Sequence, residues 1–148
     1  VEVRILGPLE VEIDGRQVRL GLQLRILLAA LVLEAGRVVP RSRLIELVWG
    51  EAAPEGADVT LRSHVFRLRH VIEPGRPAGA EPEVLVSEGP GYALRLGPEQ
   101  VDASSFERLV EEGRKALATG DPQTAAERLR AGLALWRGPA LADVADRP

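Results

Sequence analysis

Cysteine is absent from the 148 residues, and so is methionine. Without thiols there is no disulfide, no thiolate-bound zinc or iron–sulfur cluster and no cysteine nucleophile. Histidine occurs twice, as His64 and His70, too seldom for a histidine-built metal centre. Lysine is nearly missing as well: of 19 basic residues only Lys115 is lysine, and the rest are arginine. An excess of one charge sign is also lacking, with a net charge of −3. Up to Leu96 there are 12 basic and 13 acidic residues, and after it 7 and 9. Any contact with nucleic acid therefore rests on where individual arginines sit, not on bulk charge. The longest apolar run, Ile26 to Leu33, has eight residues, against about 20 for a bilayer span. Val1-Glu2-Val3-Arg4 lacks a basic leader followed by an apolar stretch, so the expectation is a cytoplasmic protein that does not engage the membrane. What remains is 45% hydrophobic and 28% charged, the balance of a folded globular chain. Its length suits one ordinary domain, or a small one plus part of another.

Hydrophobic periodicity divides the chain. Val1, Val3 and Ile5 alternate with Glu2 and Arg4, and after Gly7-Pro8 the residues Leu9, Val11 and Ile13 alternate with Glu10 and Glu12. Asp14-Gly15 is a two-residue hairpin signal, and Val18 to Leu20 follow, so a small antiparallel sheet is expected. Leu24, Leu27, Leu28, Leu31 and Val32 then recur at helical spacing, with Gly36 placed to end the helix. A second helix is predicted from Pro40 to Trp49, stopped by Gly50, and a loop over 51–57. A third runs from Asp58, as N-cap, to Ile72. At 100° per residue its Leu61, Val65, Leu68 and Ile72 form one core seam. Its opposite arc carries Thr60, Arg62, Ser63, Phe66, Arg67 and His70, with Arg69 at the edge. Glu73 to Glu83 reads as a loop, and strands over 84–87 and 92–96 flank a Gly89-Pro90-Gly91 turn.

Composition shifts near Gly97-Pro98. Phe106, Leu109, Val110, Gly113 and Leu117 share one helical face, and Ala125, Ala126, Leu129, Leu133 and Trp136 another. Gly120-Asp121-Pro122 joins the two as end residue, N-cap and first-turn proline. Such a hairpin does not close a core alone and stacks on further copies or a neighbouring domain. Beyond it the chain is expected to trail off through Gly138-Pro139.

No catalytic constellation is readable. His64 and His70 lie six residues apart on one helix, about 120° around it, and do not share an ion. Gly89-Pro90-Gly91 lacks a following Lys-Ser/Thr and a helix, so it is no phosphate cradle. The serines sit in no nucleophile-elbow context. The chain is thus expected not to be an enzyme and to need no cofactor or metal. The informative element is the third helix, with Arg62, Arg67 and Arg69 on its polar side. Guanidinium groups pair with phosphates or fork onto guanine O6 and N7. A three-helix set followed by a hairpin is a layout in which one helix enters the major groove and the hairpin acts as a wing.

At this point the chain resembles a known family. Leu6-Gly7-Pro8-Leu9-Glu10-Val11, Gly36-Arg37-Val38-Val39, Leu44-Ile45, Trp49-Gly50, Leu61, His64-Val65, Arg67-Leu68-Arg69 and Gly89-Pro90-Gly91-Tyr92 are similar to an OmpR-type winged-helix domain. The version is that of the SARP (antibiotic regulatory protein) and AfsR-like transcriptional activators. Phe106-Glu107-Arg108-Leu109-Val110 and Ala134-Leu135-Trp136-Arg137-Gly138-Pro139-Ala140-Leu141 resemble the start of the family's bacterial transcriptional activation domain. The resemblance implies an α+β winged helix over 1–97 and a TPR-like helical part over 98–148, cut short because members carry several more helical repeats. It implies an activator that reads promoter direct repeats in double-stranded DNA with the third helix. It also implies a contact of the loop after the second helix with RNA polymerase, and a homodimer aided by the helical part. Carried over by position, the DNA-binding set is Thr60, Arg62, Ser63, His64, Arg67, Arg69, His70 and Tyr92, the last with a structural role as the open alternative. Three residues depart from the pattern: Phe66 replaces a small polar residue, Glu88 a basic wing residue, and Pro40 a capping serine. The competing reading is a protein-interaction module whose arginine face docks on an acidic partner, without direct DNA binding.

Overall fold

The computed structural model describes residues 1–77 and 79–144. Ala78, inside the loop expected over 73–83, and residues 145–148 lie outside the described residues. The order is β1 (Glu2–Arg4), β2 (Glu10–Ile13), β3 (Arg16–Val18), α1 (Leu22–Leu33), β4 (Val39–Pro40), α2 (Arg41–Trp49), α3 (Ala57–Ile72), β5 (Leu85–Glu88), β6 (Gly91–Leu94), α4 (Asp102–Ala118) and α5 (Pro122–Leu133). This is the expected winged helix followed by a helical hairpin.

The first sheet is antiparallel in the order β1-β2-β3. Asp14 and Gly15 both take positive φ, 50° and 80°, as a tight hairpin of this kind requires. Val3, Val11 and Ile13 turn inward, while on the other face Arg4 pairs with Glu10 and Glu12 at 3.1 and 2.6 Å. The helical layer lies beneath. From Ile26 to Val32 every residue of α1 is buried, so it is the central helix rather than an amphipathic one with a wet side. Leu44 and Val48 of α2 and Leu61, Val65, Leu68 and Ile72 of α3 close on it, and the predicted seam of α3 is the buried one. The N-cap differs from expectation. Gly56 holds that position with φ 70°, and Asp58 falls in the first turn, where it still complements the helix dipole.

The second sheet has the order β4-β6-β5. Its central strand is wholly buried, and β4, a two-residue strand, pairs Val39 with Tyr92 and Pro40 with Gly91. A Cβ on Gly91 would run into the Val39 carbonyl, so glycine is what lets β4 close on the wing.

The α4–α5 hairpin packs small against large, with Gly113 against Leu129 and Gly132 against Phe106. Asp121 caps α5 by accepting from the Thr124 backbone N–H at 3.1 Å. The hairpin does not stand free. The buried carboxylate of Asp102, at the start of α4, accepts the backbone N–H groups of Ile5 and Leu6 at 2.8 and 3.0 Å. The chain after α5 turns back instead of trailing off. Arg137 donates from its backbone to the Leu6 carbonyl at 2.8 Å and from its side chain to the Pro8 carbonyl at 2.8 Å, and it pairs with Glu10 at 3.0 Å. Asp143 accepts from the Leu9 N–H and from Arg25, each at 3.0 Å. Segment 5–10 is thereby gripped from the helical side.

Candidate nucleic-acid interface

The packing of α3 decides what its outer arc presents. With Leu61, His64, Val65, Leu68 and Ile72 buried, the arc bearing Arg62, Ser63, Phe66, Arg67 and His70 is left open. Thr60 is half-buried, and its hydroxyl donates to the Gly56 carbonyl at 3.3 Å. The single acid of α3 is Asp58 in its first turn, and from Val59 to Ile72 the helix carries no acidic residue. The result is a cationic ridge held by a rigid core.

His64 was expected on the DNA-facing side but is only 5% exposed. Its ring stacks on Trp49 of α2, with centroids 5.7 Å apart and planes at 24°. Nε2 lies 2.7 Å from Gln23 Oε1 of α1, and Nδ1 lies 2.6 Å from Arg67 Nη2. Arginine only donates, so Nδ1 accepts, and Nε2–H donates to Gln23. The neutral tautomer is fixed from both sides. Burial first, and the Arg67 charge second, push the His64 pKa below its ordinary value. His64 thus orients Arg67, whose remaining donors have no partner among the described residues.

Arg69 and Tyr92 are placed differently from the exposed set as well. Arg69 donates through Nε to the Leu85 carbonyl at 2.8 Å and through Nη2 to Ser87 Oγ at 2.7 Å. Its guanidinium lies over the Tyr92 ring at 5.7 Å, and burial pulls its pKa down from the usual arginine value. Tyr92 is 4% exposed. Together they tie the wing to α3, the structural alternative held open for the tyrosine. At the wing, Glu88 pairs with Arg95 at 3.3 Å, both exposed, which offsets the acid where a basic residue was expected.

Three exposed residues escaped the sequence reading. Arg41 and Arg43 lie in the first turn of α2, where no acidic residue opposes them. The Arg41 N–H donates to the Pro90 carbonyl at 3.2 Å, which brings this helix start beside the wing turn. Val59 of α3 is 65% exposed. The clues were an Arg-Ser-Arg run opening a helix and an apolar residue seven positions before Phe66. At the other end of α2, Glu46, Leu47, Trp49, Gly50, Glu51 and Ala52 line an open groove. Among the described residues, no group of three or more His, Asp or Glu side chains is placed to hold a metal ion, and no helix is long and apolar enough to cross a membrane.

Comparison with known proteins gives matches to two families. The one described as "Transcriptional regulatory protein, C terminal" matches residues 15–94, and the "Bacterial transcriptional activator domain" matches 101–148. The transcriptional regulator RedD of Streptomyces coelicolor is 39% identical, covering 99% of this chain and 42% of RedD. The regulatory protein DnrI of Streptomyces peucetius is 36% identical, covering 97% and 54%. The chain thus spans about half the length of these relatives. Among solved structures, Mycobacterium tuberculosis EmbR in complex with a low-affinity phosphopeptide matches with TM-score 0.91 and 36% identity, covering 99% of this chain and 38% of EmbR. The DNA-binding domain of Escherichia coli CadC matches with TM-score 0.50 and 22% identity, covering 60% and 79%, a likeness of fold.

Proposed function

The chain belongs to the SARP family of bacterial transcriptional activators, whose members are transcriptional regulators and not enzymes, and on that premise we propose that it binds double-stranded promoter DNA sequence-specifically through the outer face of α3. The observation that carries this reading is the open ridge of Arg62, Ser63, Arg67 and His70 on a helix whose other side is anchored in the core. A recognition helix of this kind lies in the major groove, where side chains reach base edges and arginines reach phosphate or guanine. Thr60 and Ser63 supply short-range polar contacts, and Arg41 and Arg43 at the start of α2 reach the backbone. His64, Arg69 and Tyr92 act from beneath, His64 by orienting Arg67 and the other two by fixing the wing.

Residues 1–97 form the DNA-binding unit in this reading, and 98–148 the first part of a helical activation domain. Two copies sit on direct repeats, as a homodimer or in tandem, and the protein works in the cytoplasm. The groove at the end of α2, apolar at Leu47 and Trp49 and rimmed by Glu46 and Glu51, is the face offered to RNA polymerase.

Mobility shifts across a salt series test the DNA reading, with a duplex selected by the 148-residue chain from a random library. Arg62→Ala and Arg67→Ala are expected to weaken binding. Each phosphate contact removed lowers the salt slope by about 1. Unchanged affinity and slope in both variants, with circular dichroism showing the fold intact, would refute it.

A further inference from the structure

Two large apolar side chains stand in the open on α3, Phe66 at 60% and Val59 at 65% exposure. Seven residues separate them, which returns to within about 20° of the same helical face and sets them about 10 Å apart along the axis. Both belong to the arc that carries Arg62, Ser63 and His70. The His70 ring meets the Phe66 ring edge-on, 4.5 Å between centroids at 78°, a favourable aromatic geometry.

The surroundings limit what covers these side chains. Arg62 and Arg67 flank them; the one acid of α3, Asp58, stands at its N-terminal end beside Val59, and the charge from there to Ile72 is all basic. The complementary surface is therefore anionic and carries small apolar features. Duplex DNA offers that combination in the major groove, where the only apolar group on a base edge is the thymine C5 methyl. Resting on the DNA-binding role given above to α3, we propose that Val59 and Phe66 are specificity-determining residues that read thymine methyl groups at two positions about three base pairs apart. The spacing follows from the 10 Å between the side chains and a rise of about 3.4 Å per base pair.

The test uses the 148-residue chain and the duplex it selects from a random library. Each thymine is replaced singly by deoxyuridine, which keeps every hydrogen bond and removes only the methyl. The wild-type chain is expected to lose about four-fold in affinity at each of two positions roughly three base pairs apart. Phe66→Ala is expected to become insensitive to deoxyuridine at one of them and Val59→Ala at the other. Both substitutions lie on the surface, and circular dichroism checks that the fold is retained. Unchanged wild-type affinity at every deoxyuridine position overturns the methyl assignment while leaving DNA binding by α3 intact. So does undiminished deoxyuridine sensitivity in both variants, or DNA affinity unaltered by Phe66→Ala, the result expected if a protein surface covers the ring. Failure of the wild-type chain to enrich any duplex overturns the assignment together with the DNA reading beneath it.

Discussion

Replacing Asp102 tests how the helical hairpin is fastened to the winged helix. Its carboxylate accepts two buried backbone N–H groups, from Ile5 at 2.8 Å and Leu6 at 3.0 Å, across 97 and 96 residues of sequence. Hydrogen bonds to a charged group contribute about 1.5–3 kcal/mol each, and a buried donor left without a partner costs about 1–3 kcal/mol. These ranges describe overlapping parts of one change and do not add in full. Asp102→Ala is therefore expected to destabilise the fold by about 3–5 kcal/mol. Asp102→Asn keeps one acceptor but turns an NH₂ group toward the second donor, and about 2 kcal/mol is expected. For a chain of this length 1 kcal/mol moves the melting temperature by about 2–4 °C, so the alanine variant should melt about 6–20 °C lower. Urea unfolding followed by circular dichroism measures the difference directly, provided the slope with denaturant stays constant. An alanine variant within about 0.5 kcal/mol of wild type would refute the assignment of Asp102 as the fastening residue.

Three further outcomes follow from the same structure. The folded state holds His64 neutral, with its pKa below the unfolded value of about 6.5. The stability this group contributes is complete above that value and falls as pH drops through it toward the folded pKa, because the unfolded chain then binds the extra proton. Protonation would also turn Nδ1 into a donor facing Arg67, so urea unfolding between pH 7.5 and 5 should show the loss in wild type and less of it in His64→Asn. An equal slope in the two proteins would contradict the tautomer assignment. Gly91→Ala is expected to destabilise by about 3 kcal/mol, since its Cβ meets backbone at Val39 that has no rotamer to move; a thermal midpoint equal to wild type would count against the β4–β6 closure. Arg69→Ala should speed amide exchange across Leu85–Leu94 while leaving the α3 core protected, because it removes the hydrogen bonds to Leu85 and Ser87; unchanged wing exchange would sink the assignment of Arg69 to positioning.

Where the sequence is legible, local chemistry dictates the answer. Asp14-Gly15 reads as a hairpin because few residues accept two successive positive φ angles, and Gly120-Asp121-Pro122 because cap, N-cap and first-turn proline each satisfy a stated need of a helix end. The α3 seam is legible because 3.6-residue periodicity separates core from surface, and with it the exposed arc of Arg62, Ser63, Phe66, Arg67 and His70. What is not legible depends on distant partners. Strand β4 has two residues, and its mate Gly91-Tyr92 lies about 50 residues away, so no repeat announces it. Asp102 reads as an ordinary first-turn acid until Ile5 and Leu6 arrive beside it. His64 sits at the margin of the polar arc on a helical wheel, and only the approach of Gln23 from α1 and Trp49 from α2 turns it inward. Arg69 and Tyr92 are likewise decided by the wing folding back on α3, and Gly56 replaces Asp58 as cap because the preceding loop arrives in a left-handed turn.

The central claim is that duplex DNA covers the outer face of α3. The most direct measurement is an NMR titration of the 148-residue chain with the duplex it selects, following backbone amides and arginine Nε–H signals. Perturbations concentrated on Thr60, Arg62, Ser63, Phe66, Arg67 and His70, with α4 and α5 unmoved, are the result expected. Perturbations confined to the α4–α5 hairpin, or a stoichiometric complex that leaves the α3 signals in place, would contradict it.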